Sequence, residues 1–380
     1  MTLKVRSAVE QLAWHYEHPF AQAVKKAAEG MPVAGMTSNT VPWELLRAAG
    51  YFPVMLNPSV GPAPFADRFM EDGVFSSRIR GIFDGIASGG WPFLKMVVIP
   101  RTSEQEHKLF LYLHEMARQG LATGLPGLYL YNLLHTRSEA AEAYGLDRTH
   151  EFRKYLEHCR GRYIETADLV CAAEESNRAS RAIRRFLELR QGPEPQLSGT
   201  EALALIGALY FTDRAEYAQL AEEAVTEISR RPPLHGVRIL VKGSPLHHTG
   251  LYRAIESHGA VVVAEDDWWG SRAIAREISV EGDLVRAIFE SCYFHSRGPR
   301  VFPAQVADEW FLATSANVDG VVFYLPPEDD VLGWDYPGWR KKLDEKGIPS
   351  LLVRENAAHK LSSGCYRDIR DFIARIASSS

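Results

Sequence analysis

VRILVKGSPLHHTGLYRAIESHGAVVVAEDD, residues 237–267, decides the fold. Residues 237–242 (VRILVK) form an apolar, β-rich run that enters Gly243-Ser244-Pro245. Residues 251–257 carry helical spacing and stop at His258-Gly259, and residues 260–265 (AVVVAE) form a second apolar run. A strand, a short helix and a strand in that order predict a parallel crossover unit. Downstream, helical segments run to about Thr314, 320–325 (GVVFYL) reads as a strand, 337–345 as a helix, 350–354 as a strand and 366–376 as a closing helix. The same order appears earlier. Strands are expected at 33–37, 52–57, 93–99 and 127–132, and helices at 41–49, 73–86 and 103–118, with Ser103 as an N-cap and Glu104 and Glu106 in its first turn.

WELLRAAGYFPVMLN set against YRAIESHGAVVVAED, and LKMVVIPRTSE against VDGVVFYLPPED, suggest that one half repeats the other. Residues 149–190 are dense in Glu, Arg and Ala, the composition of long solvent-faced helices, and 200–230 resume a helical pattern. The expected fold is therefore α/β: two similar parallel-sheet, Rossmann-like domains joined by a long helical segment. The division is 1–30 as an amino-terminal helix, 31–148 as the first α/β domain, 149–230 as a helical bridge and 231–380 as the second α/β domain.

The 380 residues are 46% hydrophobic and carry 43 basic against 48 acidic side chains, a net charge of -5. No block of like charge offers a footprint for nucleic acid or an anionic membrane surface. The first eighteen residues become charged and amphipathic at once, unlike a secretory leader, and no 18-residue apolar run exists to span a bilayer. Four scattered cysteines, Cys159, Cys171, Cys292 and Cys365, make neither a CxxC nor a disulfide framework. The expected setting is a reducing cytoplasm.

In an open parallel sheet, ligands gather beyond the carboxyl ends of the strands. Four such ends carry polar or turn chemistry: Thr37-Ser38-Asn39, Arg101-Thr102-Ser103-Glu104, Gly243-Ser244-Pro245 and Pro326 through Asp330. Two facing lobes would bring them into one cleft, although capping and turn formation alone also select these residues. His247-His248 is a candidate metal pair or a loop feature, and Glu328-Asp329-Asp330 lacks the alternating ligands of a calcium loop. His295 through Arg300 is either a phosphate clamp or a surface loop, and Trp268-Trp269 either a ligand wall or a core edge. GxGxxG, GxxxxGK[ST] and GxSxG are absent.

Residues 35–56, GMTSNTVPWELLRAAGYFPVML, resemble the opening motif of the 2-hydroxyacyl-CoA dehydratase and benzoyl-CoA reductase subunit family. The likeness continues through residues 240–274, LVKGSPLHHTGLYRAIESHGAVVVAEDDWWGSRAI, and through VDGVVFYLPPED and YPGWRKKLDEKGIPSLLVREN. It implies paired subunits of two α/β domains each, [4Fe-4S] clusters beside an acyl-CoA thioester, and an ATP-driven activator that injects one electron. The chemistry implied is radical dehydration of a 2-hydroxyacyl-CoA or reduction of an aromatic acyl-CoA.

Such clusters need soft thiolates. The resemblance places the family's cysteines near Ser76 or Ser77, at Ser103-Glu104, at Pro326 or Pro327 and around Ser296. The chain is thus expected to hold no cluster of its own, so no metal and no resident cofactor are assigned to it. Two function classes follow. One is a cluster-less subunit pairing with a cluster-bearing homologue; the other is a repurposed non-redox acyl-CoA-binding enzyme or regulatory binding protein, for which a homodimer suffices. For substrate contact the candidates are Ser38 and Asn39, as donors to the thioester carbonyl, and Glu44 as acid or base, or else a first-turn carboxylate serving the helix dipole. Ser103 and Glu104 could make a polar floor or simply cap, Ser244 sits in the GSP loop, and Arg297 and Arg300 are candidates for CoA phosphates.

Overall fold

The computed structural model describes residues 7–58, 61–71, 73–134, 136, 138–273, 276–293, 305–355 and 361–378. The fold is α/β, as expected, with two four-stranded sheets that are parallel throughout. In the first lobe, β1 (Val33–Met36), β2 (Phe52–Met55), β3 (Leu94–Pro100) and β4 (Gly127–Tyr131) lie in the order β2-β1-β3-β4. In the second, β5 (Val237–Gly243), β6 (Ala260–Asp266), β7 (Gly320–Tyr324) and β8 (Ser350–Val353) repeat it as β6-β5-β7-β8.

Burial explains why these runs read as strands. Every residue of β1, β2, β6 and β7 is buried, so helices cover both faces and the sequence shows continuous apolar runs rather than alternation. Register holds Val33 against Phe52 and Ile239 against Gly320, with one slip between Val33 and Ala34 in the β1–β3 pair and one between Ile239 and Leu240 in the β5–β6 pair.

Helix Glu104–Gln119 starts where the Ser103 hydroxyl accepts the Glu106 amide (3.2 Å) and stops at Gly120, whose φ of 67° suits a residue without Cβ. Four helices link the lobes: Glu139–Arg160, Thr166–Gln191, Gly199–Gly207 and Arg214–Ile228. The second of these is not merely solvent-faced. Leu169, Ala172, Ala173, Ser176, Ala179, Ile183, Phe186 and Leu187 form a buried stripe at helical spacing. A main core runs through both lobes and this bridge; a second cluster around Phe311, Phe323 and Trp339 covers the other face of the second sheet.

Helix boundaries shift by several residues in places, most at the helix before β8. The helix expected at 337–345 spans Asp330–Glu345, because Asp329 caps it by accepting the Leu332 amide (3.1 Å). Pro337 lies inside it, where it forgoes one internal hydrogen bond, rather than opening it.

Candidate functional site

Both sheets change winding direction between their first and third strands, and that switch point is where a crevice opens. The two switch points face each other across a cavity of about 140 Å³. Ser38 follows β1, Thr102 and Ser103 follow β3, Ser244 follows β5 and Pro326 follows β7, and all five line it. Ser77, Arg78 and His247 are shared with a wider cavity of about 540 Å³ bounded by Tyr16, Phe20, Pro58 and Trp91.

The first lobe supplies hydroxyls, one acid and one cation. Ser38 Oγ lies 3.0 Å from Thr40 Oγ1 and 3.2 Å from Thr102 Oγ1, and the two threonine hydroxyls are 2.7 Å apart. Thr37 Oγ1 donates to Glu106 Oε1 (2.9 Å), and Ser103 Oγ donates to Glu106 Oε2 (3.4 Å). Burial pushes the Glu106 carboxyl above its ordinary value, against the pull of Thr37 and Arg78. Arg78 Nη2 donates to the main-chain oxygens of Thr37 (2.7 Å) and Leu56 (2.8 Å). Its guanidinium lies 5.3 Å from the Trp268 ring and 5.8 Å from that of Trp269.

The second lobe supplies an ordered loop. Ser244 Oγ donates to Asp329 Oδ2 (2.7 Å). Asp267 accepts the Leu246 amide (2.5 Å) and the Trp269 amide (3.0 Å), tying the loop after β5 to the turn after β6. Burial raises the Asp267 carboxyl to about 7, with Glu265 and Asp266 adding to the effect. Tyr16 donates its hydroxyl to the His247 carbonyl (2.7 Å), and desolvation keeps the His247 imidazole neutral. Gln105 spans the lobes, accepting the Ser76 amide (2.9 Å) and donating to the Glu328 carbonyl (3.5 Å).

Of the sequence candidates, Ser38, Ser103 and Ser244 come together in this cavity. Asn39 is buried beside it and donates to the Arg272 carbonyl (3.2 Å) and toward the Tyr210 hydroxyl (3.5 Å). Glu44 does not line the cavity. It is fully buried in an ion pair with Arg214 (3.2 Å) and accepts from Ser176 Oγ (2.6 Å). Glu104 points outward, 3.3 Å from Arg101 and 3.8 Å from His107. Arg297 and Arg300 lie outside the described residues. Sequence reasoning assigned no site role to Glu106 and Arg78, and named Thr102 only as part of a polar strand end. The signal for Glu106 was the spacing Ser103-x-x-Glu106, in which the N3 carboxylate turns back toward the cap.

An iron–sulfur cluster can be tested against this donor set. Of the positions matched to the family's thiolates, Ser76, Ser77, Ser103 and Pro326 line the cavity, Glu104 and Pro327 do not, and Ser296 lies outside the described residues; no cysteine lines the cavity. Cys159 and Cys171 are exposed, while Cys292 and Cys365 are buried in helices. Among the described residues, no three His, Cys, Asp or Glu side chains gather as metal ligands, and the His247–His248 pair gains no third. Hydroxyls, a guanidinium and a carboxyl do not replace thiolates at iron, so this cavity does not fit a cluster held by this chain. Among the described residues, no helix is long and apolar enough to cross a membrane.

Residues 39–358 match the family model described as "2-hydroxyglutaryl-CoA dehydratase, D-component". The chain is 18% identical over 362 residues to the (R)-2-hydroxyglutaryl-CoA dehydratase subunit beta of Acidaminococcus fermentans, covering 92% of this chain and 94% of that protein. It is 20% identical over 334 residues to the lactoyl-CoA dehydratase subunit beta of Anaerotignum propionicum, covering 86% and 87%. It is also 20% identical over 210 residues to the (R)-phenyllactyl-CoA dehydratase beta subunit of Clostridium sporogenes, covering 54% and 56%.

Proposed function

Because the chain belongs to the 2-hydroxyglutaryl-CoA dehydratase D-component family, we propose that it is a subunit of a 2-hydroxyacyl-CoA dehydratase- or benzoyl-CoA reductase-like complex. In this reading it holds no iron–sulfur cluster and pairs with a cluster-bearing homologue, the electron arriving through an activator ATPase. The supporting observation is the cavity itself: it occupies the paired switch points, and its lining offers hydroxyls and no thiol.

In this assignment the acyl end of a thioester enters between the lobes, and the wider cavity past Ser77 and His247 takes the arm that follows. Ser38 and Thr102 stand as hydrogen-bond donors to a thioester carbonyl, and Trp268 closes one wall against water. Burial raises the Glu106 carboxyl above its ordinary value, which makes it the lining acid biased toward its protonated form.

Copurification from the native host tests the subunit assignment: a cysteine-rich homologue should travel with this chain. Iron and sulfide assays on the anaerobically prepared chain should find no stoichiometric metal, and about four irons per chain would overturn the ligand argument. A second reading, a non-redox acyl-CoA binder, draws support from the cavity being walled by both lobes of one chain. A homogeneous homodimer stabilised by acyl-CoA esters would select it, since a ligand at about 100 times its Kd adds about 2.7 kcal/mol.

A further inference from the structure

A thioester with a neutral acyl chain brings no charge to meet Arg78. The guanidinium lines the cavity and forms no ion pair with any described residue; its Nη2 is anchored on two carbonyls, while its Nε is buried without a partner. Burial lowers it to about 10, so it remains a cation at neutral pH. Glu106 and Asp267 act on it without closing an ion pair, so a half-buried cation that faces the cavity gains from an anion meeting it directly.

The surroundings favour such an anion. Ser38, Thr102, Ser76, Ser77 and Ser103 present hydroxyls on the same walls. Helices Ser77–Ala87 and Glu104–Gln119 both begin there, with the positive ends of their dipoles toward the cavity. Other charged or titratable groups face the space. Asp329 is engaged by Ser244 and by the Leu332 amide, Glu328 stands beside it, and Glu106 is raised by burial; Asp267, also raised, does not line the cavity but orders the loop that carries His247. His247 is neutral, and His248 closes the rim. A volume of about 140 Å³ is close to the roughly 150 Å³ that admits a benzene ring. It suits a phosphate- or carboxylate-sized group.

We propose that the cavity binds a small oxyanion, a carboxylate or phosphate group held by the Arg78 guanidinium and the serine and threonine hydroxyls around it. The anion arrives free or as the acidic end of a larger molecule. This site does not require the thioester assignment, and the two can fail separately.

The test is thermal unfolding of the full chain with inorganic phosphate, succinate, succinyl-CoA and butyryl-CoA, each against sodium chloride at equal ionic strength. Phosphate or succinate should raise the transition saturably, and Arg78→Lys, which keeps a charge but loses the planar fork, should weaken that binding at least tenfold. A larger, Arg78-dependent shift with succinyl-CoA than with butyryl-CoA identifies the tethered source; shifts with the free ions alone identify the free one. Because an Arg78 variant leaves two carbonyls short of a donor, a second readout uses the unsubstituted chain. Phenylglyoxal labelling of Arg78, followed by peptide mapping, should fall at least tenfold in phosphate. Shifts unchanged in Arg78→Lys, labelling unaffected by phosphate, or stabilisation by butyryl-CoA alone would each overturn the proposal.

Discussion

Replacing Glu44 by Gln tests whether this carboxylate acts on substrate or holds the fold. Its side chain has no exposed surface; it accepts from Ser176 at 2.6 Å and pairs with Arg214 at 3.2 Å, while the Arg214 guanidinium lies 3.9 Å from the centre of the Trp43 ring. Glutamine preserves shape and can still accept from Ser176, but it removes the carboxylate charge that the buried Arg214 guanidinium pairs with. Losing one partner of a buried pair costs about 3–5 kcal/mol. The stacking on Trp43 survives the change and does not offset it. Urea unfolding followed by tryptophan fluorescence should therefore show a loss in that range. A Glu44→Met, Arg214→Leu double variant should recover most of it, because both charges leave together. If Glu44→Gln unfolds like the parent while acyl-CoA binding or turnover collapses, the structural role is wrong and the catalytic candidacy returns.

Three further outcomes follow from single contacts. Asp267 sits at about 7 in the fold against an ordinary 3.8. The native state therefore binds the extra proton between those values, and stability is lost as pH rises from about 4 to about 7, by at most roughly 4 kcal/mol. Asp267→Asn should flatten that slope in chemical unfolding; a stability difference from the parent that stays constant between about pH 5 and pH 8 would remove the assignment. Asn177 exchanges two hydrogen bonds with the main chain of Ile278, 2.9 and 2.8 Å. Asn177→Ala orphans both groups at about 1–3 kcal/mol each, and amide exchange at Ile278 should accelerate. Gly243 has a φ of 142°, and an added Cβ would stand 2.0 Å from the Tyr324 carbonyl. Gly243→Ala should cost at least about 3 kcal/mol, visible as a lowered unfolding midpoint.

Local chemistry made the strands and most helices legible. β5, β6 and β7 are covered on both faces, so their apolar runs needed no partner to be recognised. Strand-end reasoning likewise reached Ser38, Ser103 and Ser244, because a parallel sheet fixes which end carries ligands. Glu104 lies outside the cavity and Glu106 lines it because of helix register: the first residue after a cap points out, whereas the third turns back beneath it. Arg78 had no local signature at all. Its carbonyl partners are 41 and 22 residues away, and Glu44 meets Arg214 across 170. Such pairs exist only once the chain is folded, and periodicity does not encode them.

The bridge helix Thr166–Gln191 explains how two separate sheets keep one shared cavity. On its first-lobe side, Glu175 takes a two-pronged contact from Arg47 (2.9 and 3.0 Å) and Ser176 donates to Glu44. One residue later Asn177 clamps Ile278 of the second lobe, and near the helix end Arg190 meets Glu265 of β6 in a fully buried ion pair. Glu265 is followed directly by Asp266 and Asp267, and Asp267 orders the loop that carries His247. The strut thus reaches both walls of the cavity through contacts that touch no ligand. Loosening it at Asn177 or Arg190 should weaken phosphate binding without altering any lining residue, because the Arg78 and Asp329 walls belong to different lobes and the bridge supports their spacing beside the direct contacts of Gln105 with Glu328, Asn39 with Arg272 and Arg78 with Trp268.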